Sequence, residues 1–294
     1  MSGLGAPFDR SAAVRAFLDG DRPPATPRDA ATVVLLRDGP GGLETFLLHR
    51  PGRMAFAAGM YVYPGGSVDS SDVEDGYPWS GPAPEHWARA LGGDASLARG
   101  VLAAAVRETF EEAGVLLAGE DAREQPEELS RWRATIRAGN TRLASILVEH
   151  RLPLRSDVLV PWARWVTPEF SPRRFDTRFF VAPLPPGQTA SEDGDENDAG
   201  QWVPVRAALA AYRAAEMPMM MVTASALRDL APYDSVRDVP AGGRDLTPLM
   251  LRAVEGADGF RYVIDVRGVP VDEEDFMADE GIDGAARVEE RSSR

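Results

Sequence analysis

The residues best placed to do chemistry lie in "RETFEEAG", Arg107 to Gly114. Glu108, Glu111 and Glu112 stand at i, i+3 and i+4, so on a helix their carboxylates share one stripe. Like charges at this spacing cost about 0.2–0.5 kcal/mol per pair. They also fall near a helix C-terminus, where the macrodipole disfavours anions. A divalent cation reverses the sign of both effects. Hard Mg²⁺ or Mn²⁺ takes carboxylate oxygens and leaves coordination positions for water and phosphate. The bland alternative is a solvated acidic face in a chain with 46 Asp and Glu.

Those side chains need a rigid helix beneath them. Leu97 to Ala113 predicts one, with Gly114 at its C-terminal cap and Leu102, Val106, Thr109 or Phe110, and Ala113 as its core-facing stripe. Before it, residues 31–37 and 43–49 predict a hairpin around "DGPGG" (38–42), and "MYVY" (60–63) a third strand ending at "PGG" (64–66). Residues 67–96 are acidic and loop-like, with a helical piece at "PEHWARAL". Helical patterns continue to about residue 150. Residues 160–168 and 174–184 predict a second strand pair, 187–200 an acidic loop, and "QWVPV" a lead into another helix. The remainder reads as further helix, a late strand at 260–266 and a charged tail. Strands on both sides of one central helix point to a mixed α/β layer fold.

Composition narrows the chemistry. The chain has 294 residues, 44% hydrophobic, enough for a substantial core. With no cysteine, disulfides and thiolate-held zinc or iron–sulfur sites are excluded. The three histidines, His49, His86 and His150, lack ligand spacing. All 32 basic residues are arginine, which excludes a P-loop lysine or a Schiff base. A net charge of −14 argues against a general grip on nucleic acid. No apolar run approaches the ~18 residues of a membrane span and no signal-peptide core is evident, so the expected location is cytoplasmic.

The pattern resembles the Nudix hydrolases, whose box runs G-x5-E-x7-R-E-U-x-E-E-x-G-U with U apolar. Arg107, Glu108, Glu111, Glu112, Gly114 and Val115 match its second half, and Gly66 supplies the opening glycine. The resemblance implies an α/β/α sandwich and divalent-metal-dependent hydrolysis of a nucleoside diphosphate linked to another moiety. It makes Glu108, Glu111 and Glu112 the Mg²⁺ or Mn²⁺ ligands, with Arg107 orienting the helix. Two departures stand out. About 27 residues are inserted between Gly66 and Arg107. Counting back from Arg107, the box glutamate that should pair with it is Arg99.

An insertion at this place is similar to the coenzyme A diphosphatase branch, which "RMAFAAGMYVYPGG" (53–66) and "TPEFSPRRFDTRFFVA" (167–182) also resemble. Leu47, Arg50, Gly59, Pro64, Gly65 and Gly66 keep the register of that branch's coenzyme A motif, while Leu48, Pro51, Tyr63 and, in place of its second arginine, Ala55 depart from it. The implied layout is an N-terminal extension (1–29), a Nudix domain (30–205, insertion about 67–96) and a C-terminal helical extension with a charged tail (206–294). The favoured substrate is coenzyme A or acyl-coenzyme A. ADP-ribose, NADH and dinucleoside polyphosphates are the alternatives, and a non-catalytic nucleotide-sensing module is the reading from another class.

Arg50, Arg53, Arg173, Arg174 and Arg178 are the candidate anion clamps, since guanidinium matches phosphate in bidentate fashion. Gly65 and Gly66 join them as candidate substrate contacts. The base that activates water is Glu111 or Glu112, or Glu192 or Glu196 in the acidic loop. Phe175, Phe179 and "MPMMM" (217–221) read first as core packing. The expected partner is a small nucleotide-type molecule, and a homodimer is open.

Overall fold

The computed structural model describes residues 10–20, 23–52, 57–119, 126–192, 197–242, 244–256, 259–266 and 268–278. In chain order the elements are α1 (Arg10–Leu18), β1 (Arg28–Gly39), β2 (Gly42–His49), β3 (Tyr61–Val62), β4 (Gly65–Ser67), β5 (Trp79–Ser80), α2 (Pro84–Leu91) and α3 (Ala95–Ala113). Then come α4 (Pro126–Arg137), α5 (Leu143–His150), β6 (Leu154–Arg155), β7 (Val160–Val166), β8 (Phe175–Pro183), β9 (Ala199–Pro204), α6 (Val205–Arg213) and α7 (Met221–Leu230). The described chain closes with β10 (Leu249–Gly256), β11 (Gly259–Val266), β12 (Val269–Asp272) and α8 (Glu273–Ala278).

One mixed sheet runs β12-β11-β10-β7-β8-β1-β2-β3, with β4 on β1 and β9 on β2. β1 lies parallel to β8 and antiparallel to β2. Being central, β1 is buried on both faces, as its unbroken apolar run requires. Val33 and Leu35 pack with Leu102, Val106 and Phe110 of α3. Val34 and Leu36 face the opposite way, toward Leu209 of α6 and Leu227 and Leu230 of α7. Helices on both faces make an α/β/α sandwich.

α3 starts where Asp94 accepts the Leu97 N–H at 2.8 Å and stops at Gly114, whose φ is 70°. Both ends follow from residue chemistry: a short carboxylate satisfies an orphan N–H, and glycine adopts the left-handed cap without a Cβ clash. The buried stripe includes Leu102, Val106, Thr109, Phe110 and Ala113. Thr109 removes its polar cost by donating to the Ala105 carbonyl at 2.7 Å.

The segment after residue 66 is built into the fold. α2 buries Trp87 and Leu91 against the α3 side of the sheet. The C-terminal extension departs from expectation. The late strand expected at 260–266 is β11, but β10 before it and β12 after it are strands where further helix and a charged tail were expected, and the three extend the sheet where β10 runs parallel to β7. Leu251 and Ile264, paired across β10 and β11, supply the buried residues that hold this hairpin down. Among the described residues no helix is long and apolar enough to cross a membrane.

Candidate active site

Arg107 organises the carboxylates. Its Nε and Nη2 donate to Asp72 Oδ1 and Oδ2, each at 2.9 Å, a bidentate pair whose partners are 14% and 5% exposed. Nη2 also donates to the Ser67 carbonyl at 3.1 Å. Nη1 donates to Glu108 Oε1 at 2.8 Å and to Glu111 Oε1 at 3.4 Å. Burial alone would lower the Arg107 pKa, but the Asp72 hydrogen bond and the Glu108 charge outweigh it and raise it.

Asp72 was missed in the sequence, and a signal for it was present. Counting forward from Gly66 through five residues lands on Asp72, an aspartate where the box has glutamate. The insertion therefore lies between Asp72 and Arg107. Arg99 is not in that role; its guanidinium sits over the Trp79 ring at 5.6 Å.

Gly65 and Gly66 bring β4 against the α3 carboxylates. The Gly65 N–H donates to Glu112 Oε2 at 3.0 Å. A Cβ on Gly66 would stand 2.2 Å from Glu108 Oε1, and one on Gly65 2.5 Å from the Ala31 carbonyl oxygen. Only a chain without side chains fits between β1 and the glutamates. Burial, then the neighbouring Glu111 charge, pushes the Glu108 carboxyl up to about 7 against the pull of Arg107.

Glu108, Glu111 and Glu112 are hard oxygen donors on one stripe of α3, and Glu108 is largely taken out of water. This donor set fits a hard divalent cation. The side chains lean on Arg107 and Gly65, and among the described residues no three carboxylates or imidazoles are gathered as a ready cage.

The remaining candidates separate. Arg178, 1% exposed, donates to the Leu91 carbonyl, to Asp29 Oδ1 and to the Asp176 carbonyl. Arg174, 9% exposed, donates to the carbonyls of Thr167 and Ala25. Both are internal ties rather than open anion clamps: Arg178 lies on the buried part of β8 and Arg174 just before that strand, and a charge taken out of water must be satisfied within the protein. Phe179 is core, as are Met217 and Met219. Arg173 is exposed. Arg50, at the end of β2, is half-buried, and its Nε finds no hydrogen-bond partner among the described residues. Beside it the His49 ring lies 4.9 Å from that of Tyr61. Arg53 and Glu196 fall outside the described residues. Glu192 follows Ser191, whose N–H donates to the Ala113 carbonyl at 3.0 Å, so the acidic loop starts from the carboxylate end of α3.

Comparison with known proteins shows what this arrangement is similar to. The family described as the NUDT19 Nudix domain matches residues 89–222, so this part of the chain is similar to the Nudix hydrolases. Among its relatives is the acyl-coenzyme A diphosphatase NUDT19 of Xenopus laevis, 26% identical over 262 residues that cover 75% of this chain and 67% of that one. The Gallus gallus protein of the same name is 26% identical over 294 residues, covering 78% of this chain and 76% of the relative. Among solved structures, a Nudix hydrolase from Alicyclobacillus acidocaldarius superposes with a TM-score of 0.60 at 29% identity, covering 76% of this chain and 99% of its own.

Proposed function

We propose that this protein is a divalent-metal-dependent pyrophosphohydrolase that cleaves coenzyme A or acyl-coenzyme A at its diphosphate. The observation that carries the chemistry is the complete set of Glu108, Glu111 and Glu112 on one face of α3, with Arg107 held by Asp72. The substrate class is supported by the names of the vertebrate relatives and by the coenzyme A motif register around Arg50.

Glu108, Glu111 and Glu112 would hold Mg²⁺ or Mn²⁺. When bound, such an ion shields phosphate oxygens and lowers the pKa of water. The chain's own residues do the rest. Arg107 keeps Glu108 and Glu111 oriented, and the Gly65 N–H orients Glu112. Arg50, whose Nε finds no hydrogen-bond partner among the described residues, would meet a substrate phosphate with its guanidinium. The proton of the attacking water passes to Glu111, Glu112 or Glu192, and positioning with charge neutralisation supplies most of the rate. Residues 30–205 form the catalytic unit in this reading, and the enzyme works in the cytoplasm on a small molecule.

The test is a product-resolved assay in Mg²⁺ and in Mn²⁺ with coenzyme A, an acyl-coenzyme A, ADP-ribose, NADH and a diadenosine polyphosphate. Release of 3′,5′-ADP with the phosphopantetheine fragment is expected, and its loss in Glu112→Gln. Cleavage of ADP-ribose or NADH alone keeps the chemistry and overturns the substrate. Metal binding with no cleavage of any compound makes the protein a sensor.

A further inference from the structure

The last turn of an α-helix leaves four carbonyls without intrahelical partners. On α3 this turn carries Glu111 and Glu112, and its four carbonyls are all met. Phe110 accepts from the Gly114 N–H and Ala113 from the Ser191 N–H, both at 3.0 Å. The two between them, belonging to Glu111 and Glu112, accept from one side chain: Arg133 Nε at 2.9 Å and Nη2 at 2.8 Å.

Arg133 comes from α4 and is 5% exposed. Its neighbours Trp132 and Ile136 anchor α4 in the core shared with α3. A Cβ on Gly114 would lie 3.1 Å from Arg133 Nη1, so the bare glycine that ends the helix also admits the guanidinium across its end. The guanidinium fork holds two adjacent peptide planes at once, which an ammonium does not. It also sets a positive charge at the negative pole of the helix, where Glu111 and Glu112 add to the unfavourable field.

We propose that Arg133 is a positioning residue for the Glu111 and Glu112 carboxylates. Fixing two consecutive peptides fixes the directions in which both side chains leave the helix. Arg133 thereby acts as an outer support of the metal-binding group, reaching it through the backbone and without touching substrate. This rests on the reading of the α3 glutamates as cation ligands.

The experiment compares the wild type with Arg133→Met, Arg133→Lys and, as a control on the same helix, Arg131→Met. Arg131 is 65% exposed and pairs only loosely with Glu128, at 3.5 Å. Mn²⁺ affinity is read by electron paramagnetic resonance of the free ion, in parallel with kcat and KM on coenzyme A and with melting temperature. Arg133→Met is expected to bind Mn²⁺ about 10- to 100-fold more weakly and to lose kcat by a similar factor at little change in KM. Arg133→Lys should recover part of both, and Arg131→Met should match the wild type. Arg133→Met that melts lower but keeps its Mn²⁺ affinity and the kcat of its folded fraction overturns the proposal. So does a rise in KM alone. Wild-type protein that binds Mn²⁺ but cleaves nothing overturns the proposed activity and leaves Arg133 to be judged by Mn²⁺ affinity. Wild-type protein that neither binds Mn²⁺ nor cleaves overturns both.

Discussion

Replacing Asp72 by asparagine keeps the shape of the group that holds Arg107 and removes its charge. Breaking a buried ion pair by neutralising one partner costs about 3–5 kcal/mol. Arg107 keeps contacts to Glu108 at 2.8 Å and Glu111 at 3.4 Å, so it is not stranded, and the cost falls to about 2–3 kcal/mol. At about 2–4 °C per kcal/mol for a domain of this size, the melting temperature should drop by about 4–12 °C. Activity should fall further than stability, because an Arg107 released from Asp72 pairs more tightly with the carboxylates proposed to bind the cation. Calorimetry of Asp72→Asn, Arg107→Met and the double variant isolates the pair, with an expected coupling of about 2 kcal/mol. Adding Arg99→Glu to Asp72→Asn discriminates further. Position 99 is eight residues back along α3, about 12 Å by helical rise, so no rescue is expected. A melting temperature within about 1 °C of wild type, or rescue by Arg99→Glu, would refute the reasoning.

Glu108 gives the metal-free protein a definite pH dependence. Its folded pKa of about 7 lies above the ordinary value of 4.5, so the folded state holds the proton more tightly. That contribution is fully present below about pH 4.5 and is lost as pH rises through 7, to the extent of about 3 kcal/mol. Urea midpoints in a chelator at pH 5 to 8 should show the loss, and Glu108→Gln should flatten it; an unchanged slope contradicts the assignment. The arginines should split into two behaviours. Arg178→Met should destabilise by about 3–5 kcal/mol while leaving the turnover of folded molecules intact, as measured by denaturation alongside active-site-normalised rates. Arg50→Met should keep its melting temperature and raise KM for coenzyme A about tenfold, the loss of one charge-assisted phosphate contact.

What could be read in advance followed periodicity. The α3 stripe, the first hairpin and the β7–β8 pair announce themselves by apolar spacing, and the glutamates by their place on that helix. What could not be read depends on contacts distant in the chain. Arg174 and Arg178 sit close together in sequence, but nothing local tells that β8 is covered on both faces and that Asp29 waits beside Arg178. Arg133 has backbone carbonyls for partners, and these leave no residue-type signature. β10 was hidden for a different reason: its strand pattern is set by pairing with β11, and only the β11 half carries the run "FRYVIDV". Asp72 was legible, but only by counting from the glycine side of the insertion.

The Asp72–Arg107 pair joins residues 35 apart, where the uninterrupted box would join residues eight apart. For a flexible chain, closing the longer span costs only roughly 1.3 kcal/mol more, because loop entropy grows with the logarithm of length. A two-point ionic clasp stronger than that makes the seat of α3 largely indifferent to how much chain lies between Asp72 and the helix. Sequence length is thereby decoupled from active-site geometry. The loops between Asp72 and α3 are a place where chain length can change while the geometry at their borders stays put, provided α2 keeps its place in the core.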